Sequence, residues 1–186
     1  MALPQPTAPF TAEDYLHWEA EQPEKHEYVR GETFAMGGAS RRHVTISGNV
    51  FNALDDALDG TPCRAYMADM KVQAAADEAY FYPDVLVTCD AADHRADQFM
   101  RAPKLIVEVL SPATAAYDRG DKFAAYRRIA SLQEFVLIDP DTRRIEHYQR
   151  TQGKRWELQE VEPEQPLQLH SLEVAIAWQK VFRNVD

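Results

Sequence analysis

The sequence predicts an α/β protein: one domain with a central mixed β-sheet flanked by helices. Three observations carry this. The chain has 186 residues, enough for one full hydrophobic core. Short runs with strand character recur along it, among them "YFYPDVLVTC", "PKLIVEVLSP" and "EFVLIDP". Helical patterns lie before, between and after these runs, and passing from 103–110 through a helix to 134–139 makes a parallel β-α-β unit.

The elements follow in order. Residues 1–9 are proline-rich and expected to be loose, leaving 10–186 as the domain. Thr11 can cap a short helix, "TAEDYLHWEAE", with Tyr15 and Trp18 one turn apart. "HEYVRGETFAMGG" reads as a hairpin around Gly31. Ser40 can cap a long helix to about Asp59, with Ile46, Val50, Leu54 and Leu58 at helical spacing and Gly60 at its end. Strands are predicted at "PCRAYM", "DMKVQAA" and "AYFYPDVLVTC", then a polar surface loop over 90–102. After the 103–110 strand, a loop leads into a helix over 115–130 with Phe123, Tyr126 and Ala130 on its apolar side. "EFVLIDP" is a strongly apolar strand, "RRIEHYQR" and "KRWELQEVE" pair about a "TQG" turn, and "SLEVAIAWQKVF" closes the chain as a helix.

Composition narrows the function classes. The net charge is −10, which argues against a protein held to nucleic acid by counterion release alone. It leaves room for a local basic groove, or for an enzyme whose metal ions supply positive charge. No stretch is long and apolar enough to span a bilayer, and "MALPQPTAPF" is not a signal peptide, so a cytoplasmic location is expected. Cys63 and Cys89 lack metal-type spacing, and reduced buried thiols are expected rather than a disulfide. Nothing resembles a P-loop, a dinucleotide fingerprint, a Ser-His-Asp order or a zinc site.

Two carboxylates stand where the pattern calls for apolar residues. Alternation puts Glu108 on the face of Ile106 and Leu110, and Asp84 on the face of Tyr82 and Leu86. Burying an ionised carboxylate costs several kcal/mol unless it is paired. Three solutions fit: a shared proton, a shared divalent cation between neighbouring strands, or separate pairing of each acid with a base. Lys122 follows Asp118 by one helical turn. Its spacing suits an ion pair on a solvated face, or a lysine reaching toward the two acids. Asp69 and Lys71 precede the acids at the start of a strand and are read as peripheral.

Together these residues resemble the PD-(D/E)XK phosphodiesterase superfamily, with its restriction-endonuclease-like fold. Pro83-Asp84 is similar to its PD element and Glu108 to its acidic partner. More narrowly, the chain resembles the Uma family of putative restriction endonucleases, from about Tyr15 to Trp178. The match lies in the joint order of "HEYVRGE", "GGASRRH", "YPDVLV", "LIVEVLSPAT", "DRGDKFAAY" and "FVLIDP". Leu110 stands where the superfamily lysine is expected, and the resemblance moves that role to Lys122. It implies Mg²⁺ or Mn²⁺ on Asp84, Glu108 and the Val109 carbonyl, with Glu27 as a further acid of the site. His43 reads as a core or capping histidine and Tyr126 as a core residue, either one a candidate accessory to the site. DNA is the implied substrate, and homodimers are common for this fold. Arg41, Arg42, Lys104, Arg127 and Arg128 are candidate phosphate contacts. Two rival readings remain: a non-catalytic binding or assembly module that kept the fold, and another metal-dependent hydrolase using the same acids.

Overall fold

The computed structural model describes residues 10–75, 78–152 and 155–186. The expectation for 1–9, and the Gly153–Lys154 part of the last hairpin turn, lie outside the described residues. Helix α1 spans Ala12–Glu19, capped by a reciprocal Thr11–Asp14 box. Strands β1 (His26–Val29) and β2 (Glu32–Ala35) form the expected hairpin, turning on Arg30 and Gly31, which have φ of 49° and 94°. Ser40 caps helix α2, Arg41–Leu58, and Gly60 follows it at positive φ. Next come β3 (Arg64–Met67), β4 (Lys71–Ala74), β5 (Ala79–Phe81), β6 (Val85–Thr88), β7 (Phe99–Met100) and β8 (Pro103–Val109). Helix α3 (Ala115–Tyr117), a π turn (Asp118–Lys122) and α4 (Phe123–Tyr126) lead to β9 (Glu134–Asp139), β10 (Arg144–Arg150) and β11 (Trp156–Val161). The chain closes with β12 (Leu167–Leu169), β13 (Val174–Ile176) and α5 (Trp178–Val181).

The central sheet is six-stranded and mixed, in the order β11-β10-β9-β8-β6-β3, and its β8–β9 pair is the predicted parallel crossover. Beside it lies a second sheet, β2-β1-β5-β4-β7, where one sheet was expected. The reason is local. The run 79–89 is not one strand but two, interrupted at Tyr82-Pro83-Asp84, and its halves join different sheets. Pro83 has no N–H to give a ladder, so the chain changes partners there. The 90–102 segment also departs from a plain loop, since β7 pairs with β4.

One face of the central sheet presents Val85, Val87, Leu105, Val107 and Val109 to Ile46, Val50, Leu54 and Leu58 of α2. The other presents Leu86, Ile106, Leu110 and Phe135 to Phe123, Tyr126, Ile129 and Leu132, along with Phe81 of the second sheet. Alternation along β8 thus places Glu108 on this second face, as expected. The predicted 115–130 helix is split by the π turn and ends near Tyr126, so Ile129 is buried and Ala130 is exposed. The C-terminal segment is a strand followed by one helical turn, because Val174 and Ile176 pair with β12 before the helix begins.

The cysteines correct the expectation of free thiols: Cys63 and Cys89 form a disulfide. Arg64 pairs with Thr88 across β3 and β6, and the next position outward sets the two cysteines face to face. Sequence spacing hides this proximity; the antiparallel register creates it.

Candidate active site

Strands β6 and β8 are antiparallel neighbours with Val85 opposite Val107. One step further in the same register sets Asp84 opposite Glu108. The break at Pro83 leaves Asp84 at the open strand end, its side chain 20% exposed, while Glu108 is buried. Asp84 is held at both oxygens: His43 Nε2 lies 2.6 Å from Oδ1, and the Val109 N–H donates to Oδ2 at 2.7 Å. His43 is therefore neither a core residue nor a cap. The start of α2 carries it to Asp84.

Glu108 meets Lys122. Its Oε1 lies 3.0 Å from Lys122 Nζ and accepts the Tyr126 hydroxyl at 2.8 Å. Lys122 is also 2.9 Å from Glu27 Oε1 and 3.8 Å from Asp118 Oδ1, and its side chain is only 7% exposed. The solvated-face reading of Lys122 thus fails, because docking of the helix over β8 buries both Lys122 and Asp118. Glu27 arrives from β1 in the second sheet and also accepts the Tyr82 N–H. The cluster therefore sits where the two sheets meet.

Burial pushes the Glu108 carboxyl up to about 8; Lys122 pulls the other way, while Asp84, Asp118 and Glu27 add to the rise. Burial alone would lower Lys122, but Glu108, Glu27 and Asp118 outweigh it and hold the amine above its ordinary value. The surrounding carboxylates thus favour the charged form of Lys122. Burial also raises Asp118 and lifts the Tyr126 phenol well above its usual range, so Tyr126 stays a hydrogen-bond donor.

Among the described residues no three His, Cys, Asp or Glu side chains gather into a metal cage. A magnesium-type cation does not need one, since it takes one or two carboxylates and keeps several waters. Asp84 at the open strand end, Glu108 Oε2 and the Val109 carbonyl are hard oxygen donors of the right kind, so the residues fit such an ion. The structure gives the acids protein partners as well: His43 for Asp84, Lys122 for Glu108.

The structure brings Asp84, Glu108, Val109, Lys122, Glu27, His43 and Tyr126 together. It does not gather the five basic candidates. Arg41 and Arg42 stand beside His43 but face Asp186 and Asp141 at 3.9 and 3.0 Å. Lys104 is at the other end of β8, and Arg127 and Arg128 are carried toward that end by α4. There Arg127 lies over the Phe123 ring and Arg128 pairs with Glu78 at 2.7 Å. Asp69 pairs with Lys25, and Lys71 is buried over the rings of Tyr15 and Tyr82. Sequence reasoning missed Asp118 as a buried member and missed the pairing of His43 with Asp84. The only signal for the latter was a histidine in the first turn of a helix whose apolar face packs on β6.

A family model described as "Putative restriction endonuclease", Uma2, matches residues 12–180. An uncharacterized protein of Synechocystis sp. (strain ATCC 27184 / PCC 6803 / Kazusa) is 38% identical over 188 residues, spanning 100% of this chain and 99% of its own length. A second from the same organism is 37% identical over 153 residues, covering 81% of this chain and 86% of its own. The crystal structure of a putative nuclease belonging to DUF820 from Anabaena variabilis superposes with a TM-score of 0.76 at 20% identity. It covers 94% of this chain and 98% of that one, a likeness of fold.

Proposed function

Since the chain belongs to the Uma2 family of putative restriction endonucleases, we propose that it is an endonuclease that hydrolyses phosphodiester bonds of DNA with Mg²⁺ or Mn²⁺. The observation that carries this reading is the cluster itself: Asp84 and Glu108 opposed across two strands, with the buried cation Lys122 against Glu108. Asp84, Glu108 and the Val109 carbonyl would hold the metal ion, which supplies Lewis acidity toward the phosphate and a more acidic bound water.

The chain's own residues do the rest. Lys122 offers a fixed positive charge to the non-bridging oxygens as charge builds on them, the role in which a preorganised donor is most effective. Glu27 and Asp118 keep it protonated and in place. His43 and the Val109 N–H orient Asp84. Tyr126 donates to Glu108 Oε1 and holds that carboxyl in place. A cytoplasmic site of action belongs to the same reading, and no helix among the described residues is long and apolar enough to cross a membrane.

The test is cleavage of plasmid, linear and single-stranded DNA and of RNA at low salt, with and without Mg²⁺ or Mn²⁺. The native protein should cut DNA only with metal, and either ion should raise its melting temperature. Asp84→Ala should abolish both effects. A native protein that cuts nothing the control leaves intact would replace this reading with the non-catalytic module.

A further inference from the structure

Among the described residues four large hydrophobic side chains are exposed: Phe34, Val44, Tyr117 and Leu158. Two of them, Phe34 and Tyr117, are rings next to residues of the cluster. Phe34 is the direct cross-strand partner of Glu27, so its ring stands on the same face of the hairpin as that carboxylate. Its strand, β2, is the sheet's edge, and the ring is 48% exposed.

Tyr117 is placed by the π turn. An α-helix turns once in 3.6 residues, which would put a residue five before Lys122 well off its face. A π turn closes its hydrogen bond five residues on. The π turn over Asp118–Lys122 begins directly after Tyr117 and sets that residue nearer the face of Lys122 than an α-helix would. Burial raises the Tyr117 phenol to about 12, with Glu27 the next cause, which agrees with that placement.

Exposed rings beside a buried charged cluster need a reason, and so does binding of a polyanion by a chain of net charge −10. The basic candidates do not form a groove. Arg42 and Arg128 are held by local acids. Attraction to phosphates is therefore a weak source of affinity here, and stacking of bases on rings does not depend on net charge. Stacking requires bases that are out of the duplex.

We propose that Phe34 and Tyr117 are stacking platforms for unpaired nucleobases on either side of the scissile phosphate, making single-stranded or locally unpaired nucleic acid the preferred substrate. The proposal rests on the nuclease reading for the placement of the phosphate. Phe34 is the cross-strand partner of Glu27, and Tyr117 directly precedes the turn that ends in Lys122, so the two rings flank the elements that hold the Glu27–Lys122 pair.

The experiment is fluorescence polarisation, without metal, of a labelled single-stranded oligonucleotide and its blunt duplex. It uses the native protein, Phe34→Ala and Tyr117→Ala, together with sedimentation of each protein and the cleavage assay above. The native protein should bind the single strand more tightly. Each variant should lose about tenfold on the single strand, the scale of one base–ring stack, and little on the duplex, with an unchanged salt slope. Equal losses on both substrates, no loss, or no binding at all would overturn the proposal. A native dimer that either variant turns into a monomer would also overturn it, assigning the rings to a subunit interface. Ring-dependent binding without cleavage leaves the stacking platforms standing and removes the nuclease reading. Cleavage indifferent to the rings does the reverse.

Discussion

Replacing Lys122 by methionine tests whether the buried cation holds the site together. Nζ lies 2.9 Å from Glu27 and 3.0 Å from Glu108, and the three side chains are 7%, 11% and 5% exposed. Methionine keeps most of the volume and removes the charge, leaving buried carboxylates without a counterion. Breaking a buried pair in this way costs about 3–5 kcal/mol. For a domain of this size that is a fall of about 6–20 °C in melting temperature. The pH dependence follows from proton uptake. Lys122 pulls the Glu108 carboxyl down, so without it that pKa rises further above its unfolded value. The folded protein then binds more protons than the unfolded chain above pH ~4.5, and stability falls as pH rises. Urea unfolding of the native protein and Lys122→Met at pH 6 and 9.5 should show the larger difference at 9.5, because the native Glu108 is ionised above about 8 while the variant's carboxyl still holds its proton. DNA cleavage should fall by about two orders of magnitude or more. A stability loss under about 1 kcal/mol, that of an exposed pair, would refute the reasoning. So would a loss that is the same at both pH values.

His43→Ala should lower metal affinity and cleavage about 10–100-fold, the effect of losing a group that orients a ligand; calorimetry with Mn²⁺ measures it, and unchanged affinity would remove His43 from the site. Glu134 is fully buried and bound to His147 at 2.9 Å and to the N–H groups of His170 and Ser171. Burial alone would raise its pKa, but the bonds from His147 and Ser171 outweigh this and lower it. Its stabilising contribution is thus present above the ordinary carboxyl value and lost as pH falls through the folded one. Glu134→Gln should be less stable than the native protein at pH 7, with the gap closing toward pH 3 in urea titrations. Reducing the Cys63–Cys89 bond, which closes 26 residues of chain, should cost about 3–4 kcal/mol and lower the urea midpoint. A Cys63→Ser variant should match the reduced protein and show no response to dithiothreitol.

The parts of the fold that were legible in the sequence are those where one residue pattern has one physical meaning. The 103–110 and 134–139 runs are apolar on both faces because helices or a second sheet cover both, and their parallel crossover followed. Ser40 and Thr11 cap as expected because capping is a local bond. The separation of the two large sheets was not legible. Residues 79–81 and 85–88 look alike in pattern, and nothing in it says that they pair with different strands. The disulfide escaped for the same reason, being a product of register. Within the site, Asp84 and Glu108 stood out because charge is costly in an apolar run. Lys122 was ambiguous because its spacing to Asp118 is the same whether the helix face is wet or buried. His43 gave no comparable sign, since its partner is 41 positions away.

Glu27 and Lys122 lie 95 positions apart, in a strand of one sheet and a turn packed on the other. During synthesis the acids of β1, β6 and β8 leave the ribosome before the lysine does, and β9 must follow before the turn has a floor to rest on. Contacts of such long range form late, after the loop between them has been closed. A nascent or half-folded chain therefore carries the carboxylates without their cation and has no working cluster. Whatever chemistry the cluster performs is switched on by completion of the fold, and an unfinished chain is silent toward the cell that is making it.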